Sequence, residues 1–337
     1  MNKNTIIAGT GIYHPQKKVN NEYYINHFKK LGIDLGSFLD EFGRKERYII
    51  DNEHENALTM AIEAAKNALN DAKITPDKID AIVFSSDTPE YLCPSNALLI
   101  RDAIGANNAH TVYDLNANCI GMLVAMDQVS RYMKTSKKIK YALIVGSLYA
   151  SSAVQEDSKY TFAISGDGAA AVILECREEK HLRGLIDSRY STDTTYCNKV
   201  LSPSCGMTKA RLDTVTEYDR KQVWNTFPIS VDSFVGEWSD AIYEFMNNYD
   251  FSLNDIQYYF MSQYSKQYII ATAKFLNIEN IDKYFVYIGD KYAYTGTTSP
   301  IFALHEALHN REIQPGKKAI FCSLASGISL CSLLYEF

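Results

Sequence analysis

Thr111-Val112-Tyr113-Asp114-Leu115-Asn116-Ala117-Asn118-Cys119-Ile120-Gly121-Met122 is the stretch on which the reading of the whole chain turns. Its first residues suit a strand that ends near Leu115. From Ile120, the apolar residues Leu123, Val124, Met126, Val129 and Met133 recur at helical spacing and predict a helix running to about Thr135. Cys119 then falls at the turn between strand and helix. Unpaired backbone N–H groups and the helix dipole favour a thiolate at such a place, and the same N–H groups can hold a developing oxyanion. Gly121 is expected to let a ligand approach the backbone closely. A cysteine in this position is equally readable as a small buried apolar residue, so the turn alone leaves both readings open.

Outward from this stretch, strand-like and helix-like segments alternate. Ala57 to Ala72 carries apolar residues at helical spacing, and strands are expected over 79–84, 141–146, 169–174, 258–261, 284–288, 319–323 and 329–335. Such apolar runs suit strands buried on both faces beneath helices. A faint repeat is present. Residues 74–85 resemble 251–262, each with a loop, an acidic residue, Ile, an apolar strand and a closing Ser; 137–145 resemble 317–324 in the same order. This predicts two similar α/β halves, 1–176 and 177–337. Residues 188–230 are polar, rich in Tyr, Ser, Thr and Asp, and read as an excursion over the surface or over a pocket.

Composition narrows the function. The chain has 337 residues, 46% hydrophobic and 22% charged, with net charge −6. That surface repels nucleic acid, and no basic stripe offsets it. No run approaches the ~18–20 apolar residues of a membrane span, and the N-terminal residues read as leading directly into a strand at Thr5–Gly9, so no signal peptide is expected. The seven cysteines lack metal-ligand spacing; a reducing cytoplasm and no metal site are expected. His305 and His309 read as a solvated helix face rather than a metal pair.

Several motifs resemble β-ketoacyl-ACP synthase III, a member of the thiolase superfamily. Gly9-Thr10-Gly11-Ile12-Tyr13-His14-Pro15 resembles its opening strand and turn, and Gly43-Arg44-Lys45-Glu46-Arg47 its Gly-Ile-x-Glu-Arg segment. Ser85 to Tyr91 follows the expected strand, and Asp114 to Gly121 matches the nucleophile stretch. Gly166-Asp167-Gly168-Ala169-Ala170 matches Gly-Asp-Gly-Ala-Ala, and Ala325-Ser326-Gly327-Ile328-Ser329 stands at the closing glycine loop. The resemblance implies a five-layered αβαβα fold from two duplicated halves, usually a homodimer. It implies ping-pong chemistry in which Cys119 takes an acyl group from acyl-CoA or acyl-ACP, with no tightly bound cofactor.

The resemblance also marks departures. Counted from the intact Ala271-Thr272-Ala273-Lys274, Ser262 stands at the family His position and Gln263 keeps the family Gln; Tyr294 stands at the family Asn position. His and Asn together stabilise the enolate formed as malonyl loses CO2, so the loading half-reaction is expected to survive without the usual decarboxylation machinery. The oxyanion hole resembles the Cys119 N–H plus one from the Ser326–Gly327 loop. Asp87 stands at a place comparable to that where related hydroxymethylglutaryl-CoA synthases carry an acid/base Glu, and Asp87-Thr88-Pro89 also reads as simple turn chemistry. Cys93 falls at a pocket-gating position contributed across the family dimer. Ser37, Glu41 and Lys159 stand where the family binds the CoA nucleotide through Trp and Arg, which favours delivery by acyl carrier protein. The expected activity is acyl transfer in a secondary-metabolite, polyketide or fatty-acid-like pathway. The alternatives are a true decarboxylative synthase with substituted residues and a non-catalytic subunit paired with a paralogue.

Overall fold

Alternation along single strands sets the layers. In Ala81–Ser86, Ala81 and Val83 pack into one core while Ile82 and Phe84 pack into another. In Ile256–Met261, Tyr258 and Phe260 enter the same first core, whereas Tyr259 and Met261 enter a third. Strands buried on both faces need a helical layer on each side. In the computed structural model, which describes residues 1–224 and 231–337, the helices Gly121–Thr135 and Ser299–Asn310 fill the shared core between two sheets. Ala57–Ala72 and Asn96–Ile104 cover the outer face of one sheet. Val231–Tyr249 and Lys266–Phe275 cover the outer face of the other. The layers run αβαβα, as expected.

The first sheet has the order Asn2–Tyr13, Gly168–Glu179, Tyr141–Leu148, Ala81–Ser86, Thr111–Leu115. Its first two pairings are antiparallel and its last two parallel. The second has the order Gly184–Thr192, Ser329–Glu336, Lys318–Ala325, Ile256–Met261, antiparallel twice and then parallel. The two repeated sequence pairs therefore hold equivalent places: 79–85 answers to 256–262, and 137–145 to 317–324. The strand Gly168–Glu179 continues past Cys176 before the chain crosses to the second sheet.

The helix Ala57–Ala72 forms as its sequence predicts. Asn56 caps it by accepting from Thr59 N, and Thr59 returns the bond to Asn56 N. It lies hard against the first strand, where a Cβ on Gly11 would sit 2.3 Å from Ala64 O.

Three expectations are corrected. Residues 284–288 form no strand: a helical turn, Ile281–Tyr284, precedes an isolated bridge between Tyr259 and Phe285. The Gln263 side chain holds Val286 O (3.2 Å) and Ile288 N (3.0 Å), occupying backbone groups that a ladder would need. The polar excursion starts later than residue 188, because Gly184–Thr192 pairs with Ser329–Glu336; its residues 225–230 lie outside the described residues. His305 is not simply solvated. It is half-buried, with Nδ1 2.9 Å from Thr10 Oγ1, and burial pushes its pKa down to about 4; exposed His309 meets Asp71 at 3.0 Å.

Candidate active site

The turn carrying Cys119 is fixed from several sides. The strand Thr111–Leu115 leads to a short 3-10 turn, Asn118–Ile120, and then to the helix Gly121–Thr135. Asn118 adopts φ 51°, a left-handed conformation that Asn tolerates, and its N–H donates to Asn116 Oδ1 (3.0 Å). Met122 N–H donates to Thr297 Oγ1 (2.7 Å), and Ser323 Oγ donates to Cys119 O (3.0 Å). Thr297 and Ser323, distant in the chain, thus hold the Cys119 turn through two hydroxyls. Asp114 serves the frame: its carboxylate accepts from Asn96 N (2.7 Å) and Ala97 N (2.8 Å), at the start of the helix Asn96–Ile104. The expected role of Gly121 is corrected. Its missing side chain makes room for Ser85, whose Oγ would lie 2.0 Å from a Cβ there.

Cys119 opens on a cavity of about 1150 Å³, counting its open mouth. Asp87, from the end of the neighbouring parallel strand, places Oδ2 3.6 Å from Cys119 Sγ. Asp87 Oδ1 is closed to solvent and has no hydrogen-bond partner among the described residues. Burial pushes the Asp87 carboxyl up to about 6, opposed by the bond from Cys119. The Cys119 thiol is held well above its usual range, first by burial and then by the charge of Asp87; a hydrogen bond from Tyr294 works the other way. A thiolate preformed by the helix N-terminus was expected, and this corrects it: burial beside a carboxylate outweighs the favourable backbone contribution. The geometry instead places the Asp87 carboxyl beside the Cys119 thiol.

Tyr294 lines the cavity, and its phenol interacts with both Cys119 and Ser262. Ser262 is fully buried behind it and does not line the cavity. Gln263 is not brought to the cavity either. Its amide donates to Met261 O (2.9 Å) and Val286 O (3.2 Å) and accepts from Ile288 N (3.0 Å). Arg44 completes this frame, donating to Gln263 O (2.6 Å), Tyr264 O (2.8 Å) and Ile164 O (3.0 Å). Ser326 and Gly327 do line the cavity. Their loop is tied to the polar excursion by reciprocal bonds between Asp193 and Ile328 (2.9 and 2.8 Å). Cys93 is exposed and lies outside the cavity of its own chain.

Sequence reasoning missed the aromatic wall. Tyr160, Tyr264, Tyr268 and Phe234 line the cavity together with Thr161, Val200, Ser202 and Gln222. Tyr264 meets Tyr294 edge-on at 5.4 Å. The four-residue spacing of Tyr264, just before the helix Lys266–Phe275, and Tyr268 within it was the available signal. Ser37 donates to the Glu41 carboxylate, and Lys159 Nζ lies over the Phe38 (5.0 Å) and Tyr160 (5.3 Å) rings; none of Ser37, Glu41 and Lys159 lines the cavity.

Fold and site together define a thiolase-like enzyme built around a cysteine elbow. Residues 113–194 match the 3-oxoacyl-[acyl-carrier-protein (ACP)] synthase III family, and residues 246–337 match its C-terminal region. The chain is 30% identical over 295 residues to a β-ketoacyl-[acyl-carrier-protein] synthase III of Histophilus somni, covering 88% of each. It is 28% identical over 337 residues to one from Clostridium novyi, covering 99% of each. The crystal structure of 3-oxoacyl-[acyl-carrier-protein] synthase III from Aquifex aeolicus superposes with a TM-score of 0.83 at 25% identity, over 99% of this chain and 100% of that one. The chain belongs to the 3-oxoacyl-ACP synthase III family of the thiolase superfamily, a family of ketoacyl-synthase-type acyltransferases. Among the described residues, no helix is long and apolar enough to cross a membrane.

Proposed function

We propose that the chain is a specialised acyltransferase of this family, acting in the cytoplasm on secondary-metabolite, polyketide or fatty-acid-like thioesters. Cys119 takes an acyl group from acyl-CoA or acyl-ACP and passes it to a second substrate that need not lose CO2. The observation that carries this reading is the Cys119–Asp87 contact of 3.6 Å in a cavity whose described lining residues include no His, Lys or Arg. In loading, Sγ attacks the donor thioester carbonyl as its proton passes to Asp87. The new C–S bond forms, the donor C–S bond breaks, and the leaving thiolate takes the proton back. The Cys119 N–H and the Ser326–Gly327 backbone receive the carbonyl oxygen. Tyr294 supports the sulfur as it gains charge. No tightly bound cofactor is needed.

A homodimer of chains divided at about residue 176 accompanies this reading. Thr111–Leu115 is a sheet edge with Tyr113 exposed. Beside it, Tyr91 is tied to Asn96 and, through Asn96, to Asp114 of that strand; Leu92, Leu98 and Tyr132 are exposed as well. An unpaired apolar edge favours a second copy and would carry Cys93 toward the partner's cavity.

The test is intact-protein mass spectrometry after incubation with a panel of acyl-CoAs and acyl-ACPs. One acyl adduct, lost in Cys119→Ala, is the expected result. No adduct from any donor would reject the reading in favour of a non-catalytic subunit that works with a paralogue. Release of CO2 from a malonyl thioester would favour a decarboxylative synthase.

A further inference from the structure

We propose that the acceptor of the Cys119-bound acyl group is an alcohol or amine, which Asp87 deprotonates as it attacks, so that the product is an ester or amide. This rests on the acyl-transfer reading above and adds the class of the second substrate.

Three observations carry it. The Asp87 carboxylate is divided: Oδ2 faces Cys119 Sγ at 3.6 Å, while Oδ1 has no partner among the described residues and is shut from solvent. A buried carboxylate oxygen without a donor is costly, and a turn of the Asp87 carboxyl, which lines the cavity, would offer it to a substrate O–H or N–H. Second, Asp87 is the one ionisable carboxyl among the described lining residues, and no Lys, Arg or His lies with it. A malonyl carboxylate entering this cavity would meet a like charge with no cation to offset it. Third, the described side chains lack the cation or imidazole that would hold an enolate, so a C–H acceptor is poorly served. The Tyr294 phenol already interacts with the sulfur. An X–H nucleophile needs only a base and the backbone donors that loading already uses.

The transfer step balances. The acceptor oxygen or nitrogen attacks the acyl carbon of the Cys119 thioester, its proton going to Asp87. The C–X bond forms, the C–S bond breaks, and the proton passes from Asp87 to Cys119 Sγ, regenerating the thiol. Asp87 ends the cycle ionised, as it began, and no external oxidant or reductant takes part.

The experiment loads the full chain with hexanoyl-CoA, removes excess donor, and follows the Cys119 adduct by intact mass. Benzyl alcohol, benzylamine, malonyl-CoA and acetyl-CoA are then added separately at equal concentration. The alcohol or the amine should discharge the adduct at least roughly tenfold faster than buffer and yield the matching ester or amide. Asp87→Asn, loaded by longer incubation so that the adduct itself reports a folded protein, should lose about 10²-fold of that rate. Discharge by malonyl-CoA or acetyl-CoA to a 3-oxoacyl product would overturn the proposal. So would an adduct that neither alcohol nor amine discharges faster than buffer, or an Asp87→Asn adduct discharged at the wild-type rate. Failure to load from hexanoyl-CoA and from every other donor in the panel overturns the acyl-transfer reading itself, and is told apart by the absence of any adduct to discharge.

Discussion

The strands Ala81–Ser86 and Ile256–Met261 hold equivalent places in the two sheets, and each is followed by a different kind of side chain. After the first comes Asp87, a carboxyl against Cys119 whose Oδ1 has no partner among the described residues. After the second come Ser262 and Gln263, a hydroxyl hidden behind Tyr294 and an amide bound wholly to backbone. The backbone plan is shared, so the difference lies in burial and bonding at the strand ends. One end retains a buried titratable group beside the cavity. The other has become frame, with Arg44 and Gln263 fixing the backbone from which Tyr264 projects.

The comparison breaks most sharply at Asp87. Asp87→Asn is expected to slow Cys119 acylation by about 10²–10³-fold, the range of a lost general base. The wild-type loading rate should rise with pH through about 6, where the Asp87 carboxyl ionises, and the variant should lack that limb; stopped-flow release of CoA thiol against pH measures both. Stability should move the opposite way. The folded pKa of Asp87 lies above its unfolded value, so the native state binds the extra proton between about 4 and 6. Its contribution is full below about 4 and is lost as pH rises through 6. At pH 7 the charged carboxyl is a burden, and Asp87→Asn should be more stable by roughly 1–3 kcal/mol in urea unfolding. Faster loading by the variant, or lower stability at pH 7, would mean that Asp87 is frame as well.

Much of the molecule is legible in the sequence because its signals are local. The helix at Ala57–Ala72 has both its period and its cap within a few residues. The elbow has a strand, a turn and an amphipathic helix in one continuous stretch, and the strand repeats survive in two places. What stayed hidden depends on pairs distant in the chain. Ser85 explains Gly121, and the Gln263 amide explains why 284–288 is not a strand. The pKa of Cys119 depends on Asp87, 32 positions away, and on Tyr294. A helix N-terminus visible in sequence favoured a thiolate; the burial that opposes it appears only when the sheets close.

Gln263→Ala tests the frame side of the comparison. It leaves Ile288 N–H, Met261 O and Val286 O without their partner in a buried place. The expected cost is about 2–4 kcal/mol, read as a lower urea midpoint at unchanged m. Loading per folded molecule should stay within a few-fold of wild type. A loss of loading comparable to that of Asp87→Asn, with stability intact, would return Gln263 to the chemistry. Tyr294→Phe belongs between the two sides. It removes a donor from the sulfur as charge develops there, which is worth roughly tenfold in rate. It should also push the Cys119 thiol further upward, because the Tyr294 bond works against the raised value. Iodoacetamide alkylation followed against pH reads that shift directly.

The smallest effect is expected at Ser262, although it stands at the position of the family His. Its Oγ is buried, lacks a hydrogen bond of normal geometry among the described residues, and meets the cavity only through the Tyr294 phenol. Removing a buried hydroxyl with so little to bind relieves an unmet group while leaving a void of one oxygen atom. Ser262→Ala should therefore change stability by less than about 1 kcal/mol and loading by less than about threefold. The double variant with Tyr294→Phe decides how the two hydroxyls relate. If Ser262 acts only by orienting the phenol, the double variant should load as slowly as Tyr294→Phe alone. Independent, multiplicative losses would instead give the second strand end a working group of its own, and the division between a chemical end and a structural end would no longer hold.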